Sequence, residues 1–283
     1  MKKGVDAVTE DPTIFSSENA SVVLGVGKNM VASIRHWCTV AQLIKKVDDP
    51  QRGSLTPTKL GEAIFDDKKG FDPYLDDPAT LWLIHLQIAT NINQATAWYW
   101  AFNISRDNQF TPDTFKKELS EWTQQQKESV RSISDTTLQR DVNCFIRTYC
   151  HSRHNANAAI AEETFDCPLV DLKLMTELPE RNRYEFQRGE KETLPIEIVI
   201  ATLLAFWDAS FPEGEVMPFR DLMYAPLSPG RIFRLDEDTM VLYLERLEHL
   251  TNEVLRYDET ADLKQVYRDG NLNPMELLAR YYA

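Results

Sequence analysis

Lys28, Asn29, Ser33, Arg35 and His36 fall within one short stretch that contains no acidic residue. Side chains of these types donate hydrogen bonds to the acceptors that base edges present in the major groove, and the cations among them neutralise phosphates. To act together they need a helix with one buried face and one free face. Residues 24–44 (LGVGKNMVASIRHWCTVAQLI) read as such a helix. Gly25 and Gly27 allow a sharp turn, and Met30, Val31, Ile34, Trp37 and Cys38 recur at three- and four-residue spacing. A short helix after a glycine turn is often plain scaffold, so the case depends on its surroundings.

Those surroundings have a recognisable order. Residues 16–23 are expected to form the preceding helix, 41–47 a short strand, 48–54 a turn-rich tip, 55–57 a second extended segment and 58–65 another helix. Helix, turn, helix, hairpin, helix is the order of a winged helix-turn-helix. Between residues 26 and 54 the basic side chains are Lys28, Arg35, Lys45, Lys46 and Arg52, against only Asp48 and Asp49. That local excess stands out in a chain of net charge -13, and it points to nucleic-acid contact. Residues 132–148 form a second turn-helix unit with Arg140 near its polar face. Arg140 is a further DNA-contact candidate, with a solvated face of a docking helix as the alternative.

Other constellations are weaker. Asp72, Asp76 and Asp77 are a carboxylate group able to hold Mg²⁺ or Mn²⁺ against phosphate oxygens, with Asp72 and Asp76 as catalytic candidates; loop and helix-cap chemistry competes with that use. Asp258, Glu259 and Asp262 beside Lys264 are a second such group, read equally well as a hairpin tip. Cys144, Cys150, His151, His154 and Cys167 supply enough donors for zinc but show no C-x₂-C or H-x₃₋₅-H pairing, so no metal site is assigned there. Walker, dinucleotide-binding, H-E-x-x-H and G-x-S-x-G patterns are missing from the sequence.

The 283 residues, 43% hydrophobic and 27% charged, have an ordinary globular composition and suffice for two domains. No apolar run reaches the roughly 20 residues of a membrane span, and the start MKKGVDAVTEDP has no apolar signal core, so a cytoplasmic, non-membrane protein is expected. Asp77-Pro78 marks the start of an apolar helix over 79–90, and 195–207 (PIEIVIATLLAFW) reads as a second helix buried all round. The aromatic run Trp98, Tyr99, Trp100 and Phe102 is read as core rather than as a base-stacking platform. Residues 151–164 are a plausible linker, 168–174 and 183–188 a hairpin, and 236–251 an amphipathic helix followed by a hairpin over 255–267. The expected fold is mainly α with small β-hairpins (α+β). It divides into a helical domain with the winged helix-turn-helix (1–155) and a helical and hairpin domain (156–283) holding a degenerate second winged helix.

The motifs LGVGKNMVASIRHWC, LTPTKLGEAIFD, GFDPYLDDPATLWLIHLQIA, ATAWYWAFN, TLQRDVNCFIRTY, FDCPLVDL, YAPLSPGRIFRLDED and LRYDETADLKQVYR together resemble a prokaryotic family encoded beside DNA phosphorothioation genes. The resemblance runs over nearly the whole chain. It implies a DNA-binding and DNA-nicking component of single-strand phosphorothioation, an anti-phage modification. It also implies work alongside an ATPase, an ATP pyrophosphatase and a cysteine desulfurase, with Mg²⁺ or Mn²⁺ if the chain nicks. A non-catalytic DNA-binding adaptor or transcriptional regulator that recruits the sulfur-transfer partners is the alternative. The family pattern further leads us to expect a short His- and aromatic-containing segment ahead of Lys2.

Overall fold

The structure, a computed structural model, describes residues 1–47, 53–126, 134–151, 166–180, 182–261 and 263–283. Helix α1 (Lys2–Glu10) and a 3-10 turn (Ile14–Ser16) lead into α2 (Ala20–Leu24) and α3 (Lys28–Val40). Strands β1 (Ile44–Lys46) and β2 (Leu55–Pro57) pair antiparallel, with Lys45 opposite Thr56, and α4 (Lys59–Phe65) follows. The anticipated order of elements is present, although α2 is shorter than the expected helix over 16–23. The hairpin tip, with Arg52 and the acids Asp48 and Asp49, lies outside the described residues. Two glycines allow the tight packing here. A Cβ on Gly4 would meet the Cys38 Sγ at 2.6 Å, and one on Gly61 would meet the Leu43 carbonyl oxygen at 2.2 Å.

Helix α5 (Pro78–Thr90) begins where Asp77 Oδ1 accepts the Ala79 N–H at 2.8 Å, as the Asp-Pro pair indicates. Next come α6 (Thr96–Tyr99), which runs into a π-helical turn (Trp100–Ile104), strand β3 (Gln109–Phe110), α7 (Pro112–Gln125) and α8 (Asp135–Tyr149). Trp98, Trp100 and Phe102 are buried, so the aromatic run is core. The expected linker over 151–164 and the boundary at 155 fall almost wholly outside the described residues.

The segment read as a first strand is a 3-10 turn (Pro168–Leu172), because Pro168 opens it and Lys173 turns left-handed at φ 50. Pairing starts later, with β4 (Met175–Glu177) against β5 (Tyr184–Phe186), and β3 adds to the other edge of β5. Helix α9 (Ile196–Ser210) is apolar almost all round. It is followed by β6 (Val216–Pro218), α10 (Phe219–Tyr224) and α11 (Pro229–Ile232). The single helix expected over 236–251 is two, α12 (Glu237–Leu244) and α13 (Leu247–Leu250). Strands β7 (Leu255–Thr260) and β8 (Leu263–Arg268) form the hairpin, β6 extends it, and α14 (Pro274–Tyr281) packs on α9.

One apolar cluster draws buried residues from α1 to α14, and α5 and α9 cross its middle. His85 sits there with no exposed surface. Its Nε2 lies 3.0 Å from the Ile232 carbonyl oxygen and its Nδ1 2.8 Å from the Tyr149 hydroxyl. Burial, followed by the Arg234 charge, pulls the imidazole pKa from 6.5 to about 4, so the ring is neutral near pH 7. A carbonyl only accepts, so Nε2 carries the one hydrogen and Nδ1 accepts from Tyr149.

A depressed folded pKa means the unfolded chain takes up the proton first as pH falls. His85 thus contributes stability in full above 6.5, and that share is lost as pH drops towards 4. The loss from this one group amounts to roughly 3 kcal/mol. Urea unfolding at pH 7 and at pH 4.5 should show it, and His85→Gln, weaker at pH 7, should show a shallower decline. Equal declines in the two proteins would remove His85 from the explanation.

Candidate nucleic-acid interface

Gly25 closes α2 in the left-handed conformation (φ 64), and Gly27 is the extended N-cap of α3, so the chain turns sharply between the two helices. The inner side of α3 is held by Gly4 of α1 against Ile34 and Cys38, and by Trp37, edge-on to Trp98 at 5.7 Å. Of α3 only Cys38 and Val40 are fully buried. Its outer side is free: Lys28, Asn29, Ser33 and His36 are exposed and Arg35 is half-buried.

Between α3 and the β1–β2 hairpin runs a cleft of about 540 Å³. Lys28 and Arg35 line it from the helix, Lys46 from the strand, and His36, Thr39 and Gln94 add hydrogen-bonding groups; among the described residues no carboxylate lines it. Lys28 and Arg35 are seven residues apart and so nearly superimpose on the helix wheel. Desolvation lowers the His36 pKa below 6.5, which makes it a neutral donor and acceptor near pH 7 rather than a third helix cation. The arrangement offers point charges to phosphates from two sides and neutral groups between them.

The residues predicted for contact do not all share this cleft. Ser33 lies about 140° around the helix from Lys28. It borders a separate apolar cavity of about 300 Å³ with Met30, Ile34, Trp37 and Ile84. Met30, expected inward, is 51% exposed at that rim. Asn29 is exposed and lines neither space. Arg140 is exposed on α8, about 12 Å along that helix from Thr148, which also borders the apolar cavity. Phe15, Thr39 and Gln94 join the cleft without any local signal in the sequence; Lys46 had counted only towards the local charge.

The carboxylates have structural work. Asp72 is 6% exposed and accepts the Asp76 N–H at 2.9 Å, the Asp77 N–H at 3.0 Å and the Thr80 hydroxyl at 2.7 Å. Thr80 in turn accepts from Tyr282, whose ring stacks on Phe71 at 4.8 Å. Asp77 caps α5, and Asp76 is exposed. Glu259 accepts from Tyr257 and faces Lys264 at 3.9 Å, Asp258 accepts from Thr260, and Asp262 lies outside the described residues. Among the described residues no group of three or more His, Cys, Asp or Glu side chains is placed to hold a metal ion. Burial pushes the Cys38 thiol up to about 11 and the Cys150 thiol up to about 12, and His154 is outside the described residues. Among the described residues no helix is long and apolar enough to cross a membrane.

A mixed helical body with small antiparallel sheets defines the class, and crystal structures of SspB share it. One matches with a TM-score of 0.86 at 24% identity over 99% of this chain and 84% of that chain. A magnesium ion-bound SspB structure matches with a TM-score of 0.85, at the same identity and coverage. The chain belongs to the family described as protein of unknown function (DUF4007), whose model matches residues 1–282. No curated protein matches it.

Asp72→Ala would strand two backbone N–H groups and the Thr80 hydroxyl in a buried place. A loss of roughly 3 kcal/mol is expected, visible as a Tm lower by several degrees, whereas Asp76→Ala should stay within about 0.5 kcal/mol. A Tm unchanged by Asp72→Ala would show that its carboxylate is free for other chemistry.

Proposed function

We propose that this chain is a DNA-binding component of a DNA phosphorothioation system, meeting duplex DNA through α3 and the β1–β2 hairpin in the manner of a winged helix. The observation that carries this reading is the cleft lined by Lys28, Arg35 and Lys46, with no acid among the described residues that line it, on an anionic molecule. Helix α3 stands clear of the body along its outer side, as major-groove entry requires. The motif resemblance to phosphorothioation-associated proteins and the fold shared with SspB support the biological setting.

In this reading residues 1–155 meet DNA, with Asn29, Ser33 and Arg140 as outlying contacts. Residues 156–283, where α12 and α13 precede the β7–β8 hairpin, dock the ATPase, ATP pyrophosphatase or cysteine desulfurase. DNA as partner places the chain in the cytoplasm. Nicking of DNA with Mg²⁺ or Mn²⁺ is the enzymatic form of the proposal, and SspB with magnesium ion bound supports it. The engagement of Asp72 and Asp77 in backbone caps favours a second form, an adaptor that holds DNA without cutting it.

Two measurements test these forms. Lys28→Ala with Arg35→Ala should weaken duplex binding and lower the slope of log K against log salt by about 2, one for each phosphate no longer neutralised. An unchanged slope would remove α3 from the interface. With supercoiled plasmid and Mg²⁺ or Mn²⁺, open-circle product that disappears on chelation marks the nicking form. Binding without such product marks the adaptor.

A further inference from the structure

Far along the chain from α3, the segment SPGRIFRLD packs two arginines into the body. Gly230 makes this possible, since a Cβ there would lie 2.7 Å from the Met223 backbone. Arg234 adopts a left-handed backbone (φ 54), a strained conformation for a residue with a side chain. Its side chain is buried, and the guanidinium lies over the Phe186 ring at 3.9 Å and donates through Nη2 to the Ala101 carbonyl. Arg231 donates through Nη2 to the Ser105 carbonyl at 2.5 Å. The Nε and Nη1 of Arg234 and the Nε of Arg231 are buried without a hydrogen-bond partner among the described residues.

Two further arginines come from the segments that hold this pair, and their charges act on it. Arg106 follows Ser105, and Arg188 precedes Gly189, whose N–H donates to the Arg234 carbonyl at 3.1 Å. Both are exposed. None of the four forms an ion pair among the described residues. Of the acids on these segments, Glu185 accepts from Gln109, Glu237 from Tyr224, and Asp236 caps α12; each keeps its charge, and none is within ion-pair distance of the four arginines. Burial first, then Arg188 and Arg106, lowers the Arg231 pKa to about 10, so the group stays charged at neutral pH, and among the described residues no carboxylate pairs with it. Buried cations without counter-charge cost several kcal/mol each, and a bound anion removes much of that cost.

We propose that Arg106, Arg188 and Arg231, backed by the buried Arg234, form a site for a phosphate oxyanion. A single carboxylate carries one charge, too little for four guanidiniums, whereas phosphate groups present several oxygens to the guanidinium fork. Two sources share this chemistry, a free phosphoanion such as pyrophosphate and the backbone of a polynucleotide. The site does not depend on the α3 cleft, whose lining comes from other segments.

The test uses the full chain with Arg106→Ala/Arg188→Ala, both exposed positions, and with Lys28→Ala/Arg35→Ala as a control, each verified by its circular dichroism. Calorimetric titration with pyrophosphate at about 50 mM salt should show saturable binding in the wild type and the α3 control. Affinity should fall at least about tenfold in Arg106→Ala/Arg188→Ala. Anisotropy with a short single-stranded oligonucleotide separates the sources. A loss of affinity in Arg106→Ala/Arg188→Ala assigns the site to the polynucleotide backbone, and no change beside an abolished pyrophosphate signal assigns it to the free anion. Wild-type binding of both ligands by Arg106→Ala/Arg188→Ala, or no saturable binding of either to the wild type, would overturn the site.

Discussion

The neutral imidazole of His85 is the constraint on which the rest of the body depends. It joins α5 to the Tyr149 end of α8 and to Ile232 at the turn that closes α11, using both ring nitrogens in the buried interior. With that ring fixed, the Phe102, Phe233 and Trp82 rings close around it at centroid distances from 4.7 to 6.3 Å. The same turn then carries Arg234 into the core, where its charge helps keep His85 unprotonated. A proton on His85 would set two cations against each other in low dielectric, so the node has one stable protonation state.

That rigid middle matters for the periphery. Helix α3 touches the body along one side, through the Gly4 contact and the Trp37–Trp98 pair, and its opposite side meets solvent. The chain as a whole carries a net charge of -13, so long-range attraction to DNA would be weak and the proposed contact would rely on the local cations within a Debye length of roughly 8–10 Å. Lys28, Arg35 and Lys46 surround one cleft, and no acid is among the described residues that line it. On the proposed reading, such a molecule would bind DNA where it is placed rather than coat it.

Features written in neighbouring residues were legible in the sequence. Asp77-Pro78 announced the start of α5, the apolar run over 195–207 announced α9, and the glycine turn announced α3. Helix phase, which a stretch of donors does not reveal by eye, separates Ser33 from Lys28 and puts it beside the apolar cavity. Features that need distant segments were hidden. Strand β3 joins β5 from more than seventy residues away, Gln94 reaches the α3 cleft from beyond α5, and Arg106, Arg188 and Arg231 come from three segments whose backbones the core brings side by side. The carboxylates were ambiguous for a related reason: clustering in sequence is shared by metal ligands and helix caps, and the hydrogen bonds of Asp72 appear only in the fold.

The most direct measurement of the α3 interface is amide hydrogen exchange of the full chain with and without a duplex of about two helical turns, long enough to present a complete groove. Binding through this face slows exchange in Lys28–Val40 and in the paired strands Ile44–Lys46 and Leu55–Pro57, and leaves α9 and α14 unchanged. Protection confined to other segments, with residues 28–40 exchanging as in the free protein, would contradict it.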